Sequence, residues 1–363
     1  MARVPLLFQP VGFRGVTARN RIAVSPMCQY SATDGIPNDW HVQHLGARAI
    51  GGAGIVFTEA SAVSPIARIT PNDLGLYNDV QQAAYARLAA LITLGGAVPG
   101  IQIAHAGRKA SCTRPWEGDR YIPVAEGGWQ SQAPTGQSYS ETKDPEPHAL
   151  TAAEIGTVVA QFAATARRAL AAGFKIAEIH AAHGYLLHSF LSPLSNTRTD
   201  AYGGDVRGRA RMLMEVLDAV RAVWPADLPL FVRLSCSDFV PGGLTPDGDI
   251  LTIARMIAAR GDVDLIDCSA GGLSPEQKIP SLHPGYQVPF AEILRREAGI
   301  ATGAVGLIDQ PSQAAEIIAN GRADIVLLAR AVLADPTWPL RAARRLGVEV
   351  ELPAPYGRAT LHE

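Results

Sequence analysis

The segment His180-Ala-Ala-His183-Gly-Tyr185 sets two imidazoles three residues apart and a phenol two residues further on. A neutral imidazole carries one N–H donor, and a phenol with an ordinary pKa of ~10 stays protonated at neutral pH. Side by side, such groups can hold a developing oxyanion and hand it a proton. The histidines could also be half of a metal site, with His188 or His105 as the nearest sequence candidates for a third ligand. The inventory favours donors and no metal. Other polar groups fall in short clusters: Ser25-Pro26-Met27-Cys28 with Tyr30 just beyond, Glu59-Ala60, Gln102 with His105, Arg233, Ser269-Ala-Gly-Gly272, Gly303-Ala-Val-Gly306, and Ala329-Arg330. Glycine-rich turns beside an arginine offer bare N–H groups and a guanidinium fork to a phosphate, although tight turning alone would also explain the glycines. With Gln102 and Arg233 free to bond a planar polar ring, a phosphorylated heterocycle suits these groups better than a sugar does.

Each cluster closes or directly follows a short aliphatic run. The runs are Arg21–Pro26, Gly54–Ala60, Val98–Ala104, Lys175–Ala181, Pro229–Ser235, Leu265–Ala270, Ile300–Gly306 and Ile325–Arg330. They are mostly continuous rather than alternating, as parallel strands buried on both faces should be. Helical periodicity fills the intervals. Thr151-Ala-Ala-Glu154 is a capping box, followed by apolar residues at spacings of three and four up to Gly173. Asp79 to Gly95 behaves likewise, and Pro311 lies just inside the start of a helix that Gly321 closes. Strand and helix alternating eight times predicts a (β/α)8 TIM barrel with the polar clusters at its C-terminal mouth. An open doubly wound sheet competes, but no G-x-G-x-x-G follows the first strand. The chain reads as one domain over 1–363. An excursion after strand 3, residues 105–150, is rich in Gly, Pro, Ser and Trp and is expected to form a lid. His41 and His44 precede the second strand and read as structural or as supports behind the site residues.

The 363 residues are 47% hydrophobic and 18% charged, with a formal net charge of −2. That is globular and leaves no electrostatic footprint for nucleic acid. Cys28, Cys112, Cys236 and Cys268 are scattered, with no C-x-x-C to hold zinc or an iron–sulfur cluster. No apolar run approaches the ~18 residues of a membrane span, and the N-terminus lacks a secretory h-region. A cytoplasmic protein without membrane or nucleic-acid partners is expected.

SPMCQY at Ser25–Tyr30, IQIAHAGRKAS at Ile101–Ser111, EIHAAHGYLLHSFLSPLSNTRTDAYGG at Glu178–Gly204 and the closing LLAR together resemble the old yellow enzyme family, and within it the thermophilic-like branch. The likeness runs from the first strand to the C-terminus. It implies a non-covalent FMN, NADPH or NADH as a transient reductant, and reduction of the activated C=C bond of enones by ping-pong hydride transfer. On that resemblance Ser25, Pro26, Met27 and Cys28 line the flavin, Ala60 packs on its ring, and Gln102 bonds the pyrimidine edge. Arg233 lies near N1, while Gly303, Gly306, Ala329 and Arg330 hold the phosphate. His180 and His183 bind the substrate's carbonyl oxygen, Tyr185 delivers the proton, and Tyr30 closes the pocket. Some relatives carry a tryptophan on the seventh strand, where Val305 here would leave a wider pocket. LPAPYGRA in the tail, residues 350–363, resembles a segment that sends an arginine into a neighbouring subunit, implying a homodimer or dimer of dimers with Arg358 acting in trans beside Tyr356.

Two other functions remain open on the residues. A non-redox lyase or isomerase would use the phosphate corner for its substrate, and would need Lys109 or Glu59 at the chemistry. An FMN-binding redox sensor would keep the cofactor without turnover. Lys109 is expected to face the excursion and the reductant's phosphates. Cys28 is either an apolar filler or a flavin contact that tunes its potential.

Overall fold

The computed structural model describes residues 4–140 and 144–359. Its centre is a closed barrel of eight parallel strands, each aliphatic run of the sequence supplying one. They are β1 (Ile22–Val24), β2 (Ile55–Ala62), β3 (Val98–Ala104), β4 (Ile176–Ala181), β5 (Leu230–Ser235), β6 (Leu265–Ser269), β7 (Thr302–Ala304) and β8 (Ile325–Leu328), paired in chain order with β8 closing on β1. Helices α1 (Asp39–Ile50), α2 (Asp79–Leu94), α3 (Ala152–Ala171), α4 (Leu186–Leu191), α5 (Val206–Arg221), α6 (Asp249–Arg260), α7 (Val288–Ala298), α8 (Pro311–Ala319), α9 (Arg330–Ala334) and α10 (Trp338–Arg345) surround it.

Local sequence explains the helix ends. The Thr151 hydroxyl accepts the Glu154 N–H while the Glu154 carboxylate accepts the Thr151 N–H, and α8 starts on Pro311, whose missing N–H would have no helical acceptor. Outward strand residues such as Ala177, Ile179 and Ala181 pack under the helices, while the inward set Phe57, Ile176, Phe231, Leu265, Ile325 and Leu327 forms an apolar floor inside the barrel. An N-terminal hairpin (Val11–Phe13 with Val16–Ala18) plugs the bottom, with Phe13 edge-on to Phe231 at 5.0 Å. Water is thus excluded from below, and the polar mouth is the open end.

The excursion has structure of its own. It carries three short 3₁₀ turns and a two-residue parallel pair, Gln132–Ala133 with His148–Ala149. Buried Arg108 ties it down by donating to the carbonyls of Gln137, Ser138 and Leu273. Among the described residues no helix is long and apolar enough to cross a membrane.

Candidate active site

His180 ends the inward register of β4, and the chain then turns sharply. His183 and Gly184 adopt φ of +60° and +76° in succession. A side chain at Gly184 would meet the Gly272 carbonyl at 2.1 Å, and one at Gly272 would meet the His183 backbone at 2.7 Å. The loops after β4 and β6 therefore touch backbone to backbone, which only glycine at both positions allows. The turn is braced from three sides. The Ser235 hydroxyl accepts the His183 N–H at 2.9 Å, and Lys109 Nζ donates to the carbonyls of His183 and Gly272. Buried His188 accepts the Gly184 N–H, with its other nitrogen 2.9 Å from Asp238, whose carboxylate also accepts from Ser192.

So held, the His180 ring lies 5.1 Å from the His183 ring and 5.1 Å from the Tyr185 ring, edge to face with each. His183 Nε2 sits 2.7 Å from the Ser269 hydroxyl. Burial, then the Arg233 charge, hold both imidazoles well below their ordinary range, so they are neutral donors. Burial pushes the Tyr185 phenol well above 10, so it keeps its proton. Metal ligation finds no support in the geometry: His188 and His105 are spent on Asp238 and Gln132, and among the described residues no group of three or more ligating side chains could hold an ion.

The loop after β1 folds over this trio. A register shift in β2 between Phe57 and Ala60 re-aims the strand end. Buried Glu59 there accepts the Gln29 N–H at 2.8 Å and lies 3.2 Å from His41 Nε2, while His41 Nδ1 accepts the Asn38 N–H at the start of α1. Glu59 and His41 are supports for the Cys28–Tyr30 loop. Cys28, Tyr30, Tyr185 and Trp129 pack on one small apolar cluster, and Trp116 of the excursion stands edge-on to Tyr30 at 5.9 Å. Ala60 and Tyr185 line a common recess with Asp73. Burial raises the Cys28 thiol well above its ordinary range.

Below the trio, Arg233 donates to the Ser25 hydroxyl at 3.1 Å and pairs with Asp267 at 3.0 Å, and Gln102 donates to Glu178 at 2.8 Å. Beside it opens a cavity of about 750 Å³ whose wall includes His183, Arg233, Gln287, Gly306, Ala329 and Arg330. Gly306 turns with φ +118° against Gln287, where a side chain would come within 3.0 Å. Val305 also lines the cavity. Gly303 does not; its missing side chain makes room for Leu327, which a Cβ would meet at 2.4 Å. Lys109 reaches toward the excursion, 4.6 Å from the Tyr139 ring, but its ammonium is spent on two carbonyls and burial lowers it to about 8. Tyr356 (52% exposed) and Arg358 stand in solvent beyond the barrel.

Residues 6–349 match the NADH:flavin oxidoreductase / NADH oxidase family. The chain belongs to that family. It is 47% identical to an NADPH dehydrogenase of Geobacillus thermodenitrificans over 355 residues, covering 97% of this chain and 98% of that one. Among solved structures, an old yellow enzyme homologue of Zymomonas mobilis superposes with a TM-score of 0.78 at 26% identity, covering 95% and 94%. A 2-naphthoyl-CoA reductase does so with a TM-score of 0.84 at 27% identity over 94% of this chain, which spans 52% of that longer protein. The protein is accordingly an NAD(P)H:flavin oxidoreductase of the old yellow enzyme type, with FMN as cofactor and NAD(P)H as reductant.

The cavity suits that cofactor. Its lining includes the guanidinium groups of Arg233 and Arg330, and the buried Gln287 Oε1 in it has no hydrogen-bond partner. Such an orphan acceptor asks for a ligand donor. Three buried groups here, Glu178, Asp267 and Gln287, lie outside the candidates that the sequence singles out. Glu178 and Asp267 had a visible signal, since each is a charge at an inward position of an otherwise apolar strand. Gln287 had none; it arrives from the start of α7.

Proposed function

We propose that this chain is an ene-reductase acting on small α,β-unsaturated carbonyl compounds. The observation that carries the reading is the neutral imidazole pair and the protonated phenol, ring to ring at 5.1 Å, at the mouth beside the cavity. His180 and His183 would donate to the carbonyl oxygen and take up the charge that develops there. Tyr185 would supply the proton to carbon. Bound FMN supplies the relay of a hydride equivalent from NAD(P)H to the substrate. For the cofactor, Gln102 and Arg233 would bond the ring edge, Ala329 and Arg330 the phosphate with the turn at Gly306 and not with Gly303, whose space Leu327 fills, and Ser25, Pro26, Met27, Cys28 and Ala60 would line the ring. Tyr30 would close the substrate pocket under the excursion as a lid, and Arg358 would enter from a second copy of the chain in a homodimer.

The test is spectroscopic. The purified protein should be yellow, bleach with NADPH, and recover its colour on anaerobic addition of cyclohexenone. Bleaching without recovery would favour a redox sensor, and a colourless protein that refuses FMN would end the reading.

A further inference from the structure

The barrel interior holds a charge imbalance that the reaction above leaves unused. Glu178 and Asp267 are both 0% exposed and sit near one cation, Arg233. Asp267 lies opposite Arg233 in the β5–β6 register and pairs with it at 3.0 Å. Glu178, opposite Gln102 in the β3–β4 register, receives only that neutral amide. Glu178 Oε2 and both Asp267 oxygens accept no hydrogen bond. The apolar floor of Ile176, Phe231 and Leu265 keeps water out from beneath. Two anions against one guanidinium would leave a net negative charge in a dry site, which costs several kcal/mol in real proteins. One proton between the two carboxyls makes the cluster neutral. The groups acting on Glu178 are Asp267 from β6, Arg233 from β5 and neutral Gln102 from β3, with neutral His180 two residues along its own strand. Burial, then Asp267, push Glu178 up to about 8, while burial against the pull of Arg233 leaves Asp267 at about 6.

We propose that the Glu178–Asp267 pair carries one proton, held on Glu178, in the barrel interior and, acting through Arg233, couples the cofactor's reduction potential to pH. The inference rests on the reading that Arg233 faces the cofactor ring. A hydride from NAD(P)H brings two electrons and one proton, leaving one negative charge beside Arg233. Where the pair has already lost its proton, one proton from water returns to it as that charge arrives, forming an O–H bond on a carboxyl oxygen. Reoxidation by the alkene substrate releases it. Glu178 touches no reacting atom and is a positioning residue.

The experiment measures the midpoint potential of the FMN-loaded enzyme against pH, for wild type and Glu178→Gln, across a range that starts above about 6, where Asp267 is already ionised, and brackets about 8. The wild-type line should steepen on the alkaline side by 29.6 mV per pH unit, the value of one further proton per two electrons. Glu178→Gln should match wild type at the acid end, because an amide resembles the protonated acid, and should not steepen. A reduced-minus-oxidised infrared spectrum of the alkaline wild type should show a protonated carboxyl gained, a readout that needs no variant. A wild-type line that never steepens, steepening retained in Glu178→Gln, or no carboxyl gained overturns the proposal. Failure of the chain to bind FMN removes the cofactor reading and this inference together, whereas bound FMN with a straight line removes this inference alone.

Discussion

Replacing Ser269 with alanine tests how the imidazole pair is prepared. The Ser235 hydroxyl is committed to the Gly271 carbonyl and accepts the His183 N–H, so it cannot set the state of the ring. The Ser269 hydroxyl, 2.7 Å from His183 Nε2, can donate to that nitrogen and so keep the ring proton on Nδ1, leaving a donor for the substrate oxygen. In Ser269→Ala the tautomer is no longer chosen, and a fraction of molecules turns a lone pair toward the oxygen. A hydrogen bond to a charged group is worth ~1.5–3 kcal/mol, or about 10- to 150-fold in affinity. Ser269→Ala should sit near the lower end, about tenfold, because it frees the tautomer without deleting the donor, and His183→Ala should lie above it. Binding of a para-substituted phenol, followed by the long-wavelength band it forms over the oxidised flavin, gives the Kd directly. A Ser269→Ala Kd within about twofold of wild type, or His183→Ala doing less damage than Ser269→Ala, would refute the reasoning.

Tyr185→Phe should slow reoxidation by an enone by ~10²–10⁴ while leaving reduction by NADPH within a few-fold; equal losses in separate stopped-flow half-reactions would contradict the proton-donor role. Glu59→Ala should destabilise the protein by ~2–4 kcal/mol in denaturant titrations and speed FMN loss, because the Gln29 N–H loses its acceptor and buried His41 the carboxylate 3.2 Å from its Nε2. Glu178 titrates higher folded than unfolded, so its contribution to stability is present below its unfolded value of ~4.3 and is lost as pH rises through about 8. Apo Glu178→Gln should therefore gain on wild type across that window, by up to ~5 kcal/mol, and a difference independent of pH in unfolding curves would argue against a raised carboxyl. A chain ending before Pro353 should bind phenols more weakly and dimerise less if Arg358 acts in trans; unchanged values by titration and ultracentrifugation would exclude it.

Reading the chain alone reached the barrel, its eight strands and the mouth at which His180, His183 and Tyr185 gather. The physical reason is that these features are local: a buried parallel strand must be a short aliphatic run, and a strand end is where polarity returns. The capping box at Thr151 and the proline start of α8 were legible for the same reason. Tertiary structure alone decided how distant groups are shared. Arg233 reaches Ser25 across 208 residues of chain, His183 meets Ser269 across 86, and Gln102 meets Glu178 across 76. No periodicity records such pairings, because barrel closure and strand stagger choose them. The sequence could also show that Lys109 carries a charge and that Gly303 lacks a side chain, but not that the lysine is spent on two carbonyls or that the glycine yields its space to Leu327. Those outcomes depend on which backbone and side-chain atoms the closed fold presses together, a property of the packed interior and not of any one segment.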